Sequence, residues 1–277
     1  MSSITVPSLS EELNKYAAVV ITGGSSGIGK SFINTIAKLH PGVVVCNLSR
    51  SVPDINLVQL KLGHVPCDLS DAAAIPGAVG EVLSFLAKAA PEGPVLLINN
   101  SGFGSYGRFA EVGIDQQLGM IDVNVRAVVE LTGRLLPTLK VRGGAIITVA
   151  STAAFQPTPY LATYGATKAF VLHWSLALNE ELRGTGVRAL ALCPGPTATE
   201  FFKRAGLKEG SVADSLGQTC DEVIDAALHA LARKRPMVVS GWKNKVMTAF
   251  SSKLPKPFIT GLSAKILGKY RLKQVAR

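Results

Sequence analysis

Ala17-Ala18-Val19-Val20-Ile21-Thr22, followed at once by Gly23-Gly24-Ser25-Ser26-Gly27-Ile28-Gly29, is the stretch whose reading decides the fold. The first six residues are apolar or β-branched and are bounded by glycines, the signature of a short buried strand. A helical pattern over residues 27–40 starts inside the glycine run. Glycines permit a tight turn and let backbone approach a ligand closely. A helix start offers unpaired N–H groups and a positive dipole end, which suit a pyrophosphate. The spacing is Gly-x-x-x-Gly-x-Gly, and such a turn can also be purely structural. Its place after the first strand of an alternating chain favours a dinucleotide.

The same punctuation recurs downstream. Val43-Val44-Val45-Cys46-Asn47-Leu48 reads as a second strand, a short third one ends near Cys67, and residues 71–90 read as a helix. Val95-Leu96-Leu97-Ile98-Asn99 is a fourth strand, followed by one long helix over about 115–139. Ala145-Ile146-Ile147-Thr148-Val149-Ala150 is a fifth strand, then a helix containing Tyr164 runs to about Arg183, and residues 187–192 form a sixth strand. The strands are continuously apolar, as expected where helices cover both faces of a parallel sheet. The alternation predicts an α/β fold, a doubly wound parallel sheet of about seven strands with helices on both faces. Residues 1–241 read as one domain and 242–277 as a basic C-terminal extension of helical pattern.

Composition bounds the rest. A chain of 277 residues, 47% apolar, is long enough for one large α/β domain. No run of about 18 uncharged apolar residues predicts a transmembrane helix. The first 13 residues lack the basic and apolar blocks of a secretory signal, so a cytoplasmic protein is expected. Cys46, Cys67, Cys193 and Cys220 form no CxxC pair and read as free thiols of a reducing compartment. His40, His64, His173 and His229 show no metal-ligand spacing, so no metal is expected.

Tyr164-Gly165-Ala166-Thr167-Lys168 lies in the helix after the fifth strand, with Ser151 thirteen residues upstream. Residues four apart share a helix face, so an ammonium would sit beside a phenol. A cation lowers the phenol's ordinary pKa of ~10 and readies it for proton exchange near neutrality. Alone, the same spacing also describes an exposed surface pair.

Together these motifs resemble the short-chain dehydrogenase/reductase (SDR) family over about residues 17–239. The family's TGxxxGxG cofactor motif matches Thr22, Gly23, Gly27 and Gly29, with Ser25, Ser26 and Ile28 between them. Its NNAG motif matches Asn99-Asn100-Ser101-Gly102, with Ser101 in place of Ala. Its catalytic Asn, Ser, Tyr and Lys match Asn124, Ser151, Tyr164 and Lys168. Its PG motif matches Pro194-Gly195, with Thr197 beyond it and Thr199 where the nicotinamide amide is held. The resemblance implies a Rossmann-like fold and a nicotinamide cofactor that carries hydride. Tyr164 would exchange a proton with a carbonyl/alcohol pair, Lys168 would lower the Tyr pKa and hold the ribose, and Ser151 would orient the substrate oxygen. Asn124 would sit at a helix irregularity and hold a water in a relay to Lys168. The resemblance also implies pairing through the long helices near 115–139 and 160–183 into a homodimer or homotetramer.

NAD-specific folds place a carboxylate after the second strand to bond the adenine ribose. Here Ser49-Arg50-Ser51 stands in that place, and a guanidinium pairs well with a 2′-phosphate. NADP(H) is therefore expected, with NAD(H) as the alternative, and Asp68 matches the family's adenine-contacting Asp. Phe103, Phe155, Tyr160, Phe201 and Phe202 suggest a hydrophobic carbonyl or alcohol substrate, with Pro157 and Pro159 stiffening the loop before Tyr164. Residues 197–217 form the segment that varies most between members of the family.

Of the 29 Lys and Arg, twelve fall in residues 226–277, where no acidic residue occurs. As one helix, the tail would carry Leu262, Ile266 and Tyr270 on one stripe and Lys265, Lys269 and Lys273 beside it. The simpler expectation is a helix packed on the body or at a dimer contact. The alternative is peripheral contact with an anionic membrane. No recognition motif points to nucleic acid. The leading reading is an NADP(H)-dependent oxidoreductase. The rivals are a dinucleotide-binding sensor or scaffold with little turnover, and a related lyase or epimerase.

Overall fold

The computed structural model describes residues 7–55, 60–201, 205–206 and 217–269. A short helix α1 (Leu9–Leu13) leads into β1 (Ala18–Thr22), α2 (Gly27–Leu39), β2 (Val44–Ser49), β3 (Lys61–Pro66) and α3 (Ala74–Ala89). Then come β4 (Val95–Asn99), α4 (Ile114–Ile121), α5 (Ala127–Arg142), β5 (Gly144–Val149), α6 (Ala162–Glu181) and β6 (Val187–Cys193). The chain closes with α7 (Cys220–Ala232), β7 (Met237–Val239), α8 (Trp242–Lys253) and α9 (Lys256–Gly268).

The seven strands form one sheet in the order β3-β2-β1-β4-β5-β6-β7. Every neighbouring pair is parallel, with β1 flanked by β2 and β4. Because side chains alternate across a strand, each strand feeds two cores. Val20, Cys46, Leu97 and Ile146 pack under α3 and α5 with Val79, Val82, Leu131 and Leu135. Val19, Ile21, Ile98 and Ile147 face the other way, onto Phe32, Ile33 and Ile36 of α2 and Val223, Ile224 and Leu228 of α7. A third cluster beneath α6 joins Val171 and Leu172 to Ala150, Ala191 and Cys193. Burial on both faces is why the strands read as unbroken apolar runs. Thr219 and Glu222 start α7 with a capping box, each side chain bonding the other's backbone N–H.

Two expectations gain detail. The long helix expected over 115–139 runs without a gap from Ile114 to Arg142, and its α4 and α5 halves are joined by one wide π-turn, Asp122–Arg126, the irregularity at Asn124 that the resemblance implied. The tail is two helices rather than one, divided at Leu254-Pro255, because a proline cannot continue the i to i−4 ladder. Tyr270 and Lys273 lie outside the described residues.

Doubly wound sheets bind ligands outside the carboxyl ends of their strands, at the point where strand order reverses. Here that point lies between β1 and β4. Phe32 is fully buried where α2 packs on the sheet, so Phe32→Ala is expected to cost about 3–5 kcal/mol in urea denaturation.

Candidate active site

The glycine turn is tied down on both sides. Thr22 is buried at the end of β1, and its Oγ1 accepts the backbone N–H groups of Asn100 (3.0 Å) and Ser101 (2.9 Å) at the end of β4. Asn100 Nδ2 donates back to the carbonyls of Thr22 (2.9 Å) and Gly23 (3.2 Å). Toward β2, Gly23 N donates to Leu48 O (2.9 Å) and Gly24 N to Asn47 Oδ1 (2.8 Å). A Cβ on Gly29 would run into the Gly23 carbonyl and the Asn100 amide, so the close approach of turn and helix requires glycine. Gly27 opens α2 at φ +53°, and Ser26 before it makes no side-chain cap. The N–H groups of the first turn, at Gly27, Ile28 and Gly29, are the kind of donors a pyrophosphate takes. Thr199 lies against Gly27, 3.3 Å from where its Cβ would be, so the loop after β6 covers the turn.

At the far end of β2, Arg50 is exposed and reaches within 4.0 Å of Asp68 Oδ2. Asp68 is held below the usual carboxylate range, first by the backbone N–H of Ser70 and then by its hydroxyl. Ser49 turns inward. Its hydroxyl donates to Ser51 O (2.7 Å) and accepts from Asn47 Nδ2 (2.8 Å), so it shapes the strand end rather than offering a free donor. Asn47 thus links Gly24 to Ser49, a role that its position inside an apolar strand did not reveal.

Tyr164 and Lys168 lie on one face of α6, both buried, beside the ends of β4 and β5. Ser151 follows β5, caps a single 3-10 turn through its Oγ to Ala153 N (3.1 Å), and hydrogen-bonds the Tyr164 side chain. Lys168 Nζ donates to Val149 O (2.7 Å), lies 5.9 Å from the centre of the Tyr164 ring, and approaches Gly102. Asn124 Oδ1 accepts from Phe103 N (3.1 Å), while its Nδ2 donates to Phe103 O (2.9 Å) and Thr167 Oγ1 (3.0 Å). Both amide hydrogens are thereby spent, so the side chain acts as a clip on the Phe103 loop. Thr167 Oγ1 passes the link to Tyr164 O (2.7 Å).

Burial dominates the electrostatics. It pushes the Tyr164 phenol up to about 12, against the opposing hydrogen bond from Ser151. It also pushes Lys168 down to about 8, with the neighbouring Cys193 thiol acting the other way. The expected lowering of the phenol by Lys168 does not govern this state, because the ammonium is turned to the Val149 carbonyl.

The aromatic residues separate. Phe201 stacks on Tyr164 at 5.2 Å, and Gly104 lies against both rings. Phe103 is held by Asn124, Tyr160 faces Tyr106 at 5.9 Å, and Phe155 packs on the cluster under α6. Phe202 and much of the 197–217 segment lie outside the described residues. Beyond Pro194, Gly195 is covered by Asn244 of α8, and Thr197 pairs with Gln218. Asn244 was not singled out by the sequence, although it sits in the distinctive Gly241-Trp242-Lys243-Asn244-Lys245 run.

A family model described as short chain dehydrogenase matches residues 17–210, and the chain belongs to that family of oxidoreductases. It is 33% identical over 203 residues to an uncharacterized short-chain type dehydrogenase/reductase of Sinorhizobium fredii, covering 72% of this chain and 77% of that one. It is 31% identical over 203 residues to a serine 3-dehydrogenase of Rhizobium radiobacter, covering 70% and 78%. Among solved structures it resembles a short-chain dehydrogenase from Sphingobium yanoikuyae in complex with NADPH, at 27% identity and TM-score 0.69, covering 86% and 96%.

The buried lysine has a measurable consequence. Between about pH 8 and 10.5 the unfolded chain keeps the Lys168 proton that the folded one has released, so this group adds stability as pH rises through that window. Cys46 and Cys193, both pushed up to about 12, act in the opposite sense above pH 9. The difference between wild type and Lys168→Met isolates the lysine. The variant's thermal-stability advantage should shrink steadily from pH 8 to 10, and a pH-independent difference would refute the depressed lysine.

Proposed function

We propose that the chain is an NADP(H)-dependent oxidoreductase acting on CH–OH groups, which interconverts a hydrophobic carbonyl and its alcohol by hydride transfer. The observation that carries this reading is the meeting of Ser151, Tyr164 and Lys168 at the strand ends that also hold the glycine turn. The residues present fit a dinucleotide. The turn excludes any side chain at Gly29, α2 starts uncapped, and Arg50 stands exposed where a 2′-phosphate would reach it. The pyrophosphate would rest on Ser25, Ser26, Gly27 and Ile28, the adenine on Asp68, and the nicotinamide end between Asn100, Pro194, Gly195, Thr197 and Thr199. When bound, the cofactor supplies the hydride and, in the return direction, accepts it.

The chain's own groups handle the oxygen. In reduction Tyr164 Oη gives its proton to the substrate oxygen, and Ser151 Oγ holds that oxygen within reach. A phenol pushed up by burial keeps its proton until the oxygen begins to carry charge. Lys168, whose hold on its proton burial loosens, turns from Val149 O to stabilise the phenolate and to hold ribose hydroxyls. Asn124 is a positioning residue, which fixes the Phe103 loop against α6. Phe201, Phe103 and Tyr106 give an apolar wall and supply no cation to clamp a carboxylate. The chain pairs with a second copy through α4 to α6, where Ile114, Leu118, Ile121, Val129 and Phe170 are exposed.

Tyr164→Phe should lower NADPH consumption with apolar ketones by about 10²–10⁴-fold while leaving dinucleotide binding, followed by NADPH fluorescence, intact. Binding without turnover in the wild type, across a panel of ketones and aldehydes, would favour a sensor or scaffold instead. Arg50→Ala should raise the KM for NADPH about tenfold or more and leave that for NADH unchanged. Equal changes for both cofactors would remove Arg50 from the 2′-phosphate.

A further inference from the structure

The two helices of the tail are inside out. In an ordinary surface helix the apolar face packs on the body and the polar face meets water. In α8 the buried positions include Thr248 and Ser251, while Trp242 (72% exposed), Val246 (63%) and Phe250 (64%) point outward. In α9 the buried positions are Ile259 and Ser263, while Phe258, Leu262 and Ile266 are exposed. Both outward sets repeat every four residues, so each forms one stripe along its helix. The buried hydroxyls of α8 are satisfied locally, Thr248 Oγ1 donating to Asn244 O (2.9 Å) and Ser251 Oγ to Thr248 O (3.2 Å). Burying them against the body therefore leaves no orphaned donor.

The charge around the stripes has one sign. Lys243, Lys245, Lys253, Lys256, Lys265 and Lys269 are all exposed, and residues 226–277 contain no acidic side chain. Arg233, Arg235 and Lys245, with Asp225 and His229, also line an open cleft of about 610 Å³ between α7 and α8. A second copy docked through this face would bring the same lysines together, since a twofold interface pairs a surface with itself. Exposed aromatic and aliphatic side chains ringed by lysines match instead an anionic bilayer surface, where long cationic side chains reach the phosphates while their stems and neighbours sink. No helix among the described residues is long and apolar enough to cross a membrane, so the contact is peripheral.

We infer that α8 and α9 form a bilayer-binding face, which seats its apolar stripes at the boundary of headgroups and acyl chains of anionic lipids. The face is joined to the candidate site. Tyr106 Oη donates to Leu267 O (2.5 Å) at the end of α9, and Gly268 lies against the Tyr160 ring. The inference stands apart from turnover, so its test uses binding.

The full-length protein carrying Trp174→Phe, which leaves Trp242 as the reporter, is titrated with vesicles of phosphatidylcholine alone or with 30 mol% phosphatidylglycerol added (~30, a composition that supplies surface charge). Co-sedimentation with the anionic vesicles and a blue shift of Trp242 emission are expected, with little of either on neutral vesicles. Lys253→Glu with Lys265→Glu, and separately Phe250→Ser with Phe258→Ser, should each weaken partitioning by at least about tenfold while NADPH binding and melting temperature stay at wild-type values. Absence of binding to anionic vesicles would overturn the inference. So would binding that the apolar variant leaves untouched, or a wild-type dimer that the apolar variant converts to monomer, since a second copy would then cover the face. Free inorganic phosphate at millimolar concentration should not shift Trp242 emission, and a shift would assign the lysines to a soluble anion instead.

Discussion

The Thr22 hydroxyl, accepting two backbone N–H bonds from Asn100 and Ser101, is the constraint on which the site depends. A parallel sheet ends its strands with backbone groups that no neighbour satisfies, and buried donors of that kind must find a partner. At the strand ends here the partners are side chains. Thr22 serves β4, Asn47 serves the turn after β1, Asn124 serves the Phe103 loop, and Lys168 serves the end of β5. One set of bonds therefore closes the sheet edge and fixes the candidate site. Removing any one would leave a desolvated donor or acceptor at the strand ends.

The same economy explains the electrostatics. A lysine buried to complete a backbone carbonyl at Val149 loses much of its hold on its proton, and a phenol buried beside Phe201 tightens its own. Both shifts run against the charged forms, as burial requires. The side chains are poised to respond to anything that brings charge to them: an oxygen that becomes an alkoxide, or a ligand hydroxyl that offers the lysine a better partner than Val149.

Much of this was legible in the sequence, for reasons that can be named. Parallel strands buried on two faces leave largely apolar runs, and β1, β2, β4, β5 and β6 announce themselves so, whereas β3, Lys61–Pro66 at the sheet's edge, is mostly half-buried and carries Lys61, Gly63 and His64. β7 spans only Met237–Val239, too short to separate from the loop around it. The Tyr164–Lys168 pair was legible because helical spacing alone puts it on one face. What Lys168 bonds to was not, because Val149 reaches it through tertiary packing. The wide turn at Asp122–Arg126 was invisible to periodicity, since one extra residue in a turn displaces the apolar pattern by less than the width of the buried stripe. In the tail, spacing found the stripe of Leu262 and Ile266 but could not say which way it faced, and the usual rule assigned it to the body.

That reversal bears on the loop before Tyr164. Tyr160 sits at φ +68°, a backbone conformation that costs a non-glycine residue about 1–3 kcal/mol unless its surroundings hold it there. The contacts that do so include Gly107 N donating to its carbonyl (2.9 Å), Tyr106 packing on its ring, and Gly268 of α9 against the same ring. The last of these belongs to the tail. The helix that would lie on lipid therefore also helps hold the residue four positions before Tyr164 in its strained form. A shift of α9 would act on Tyr160 first and could pass along the first turn of α6 to Tyr164 without any change in the sheet. The tail thus adjoins Tyr106 and Tyr160 beside the candidate site.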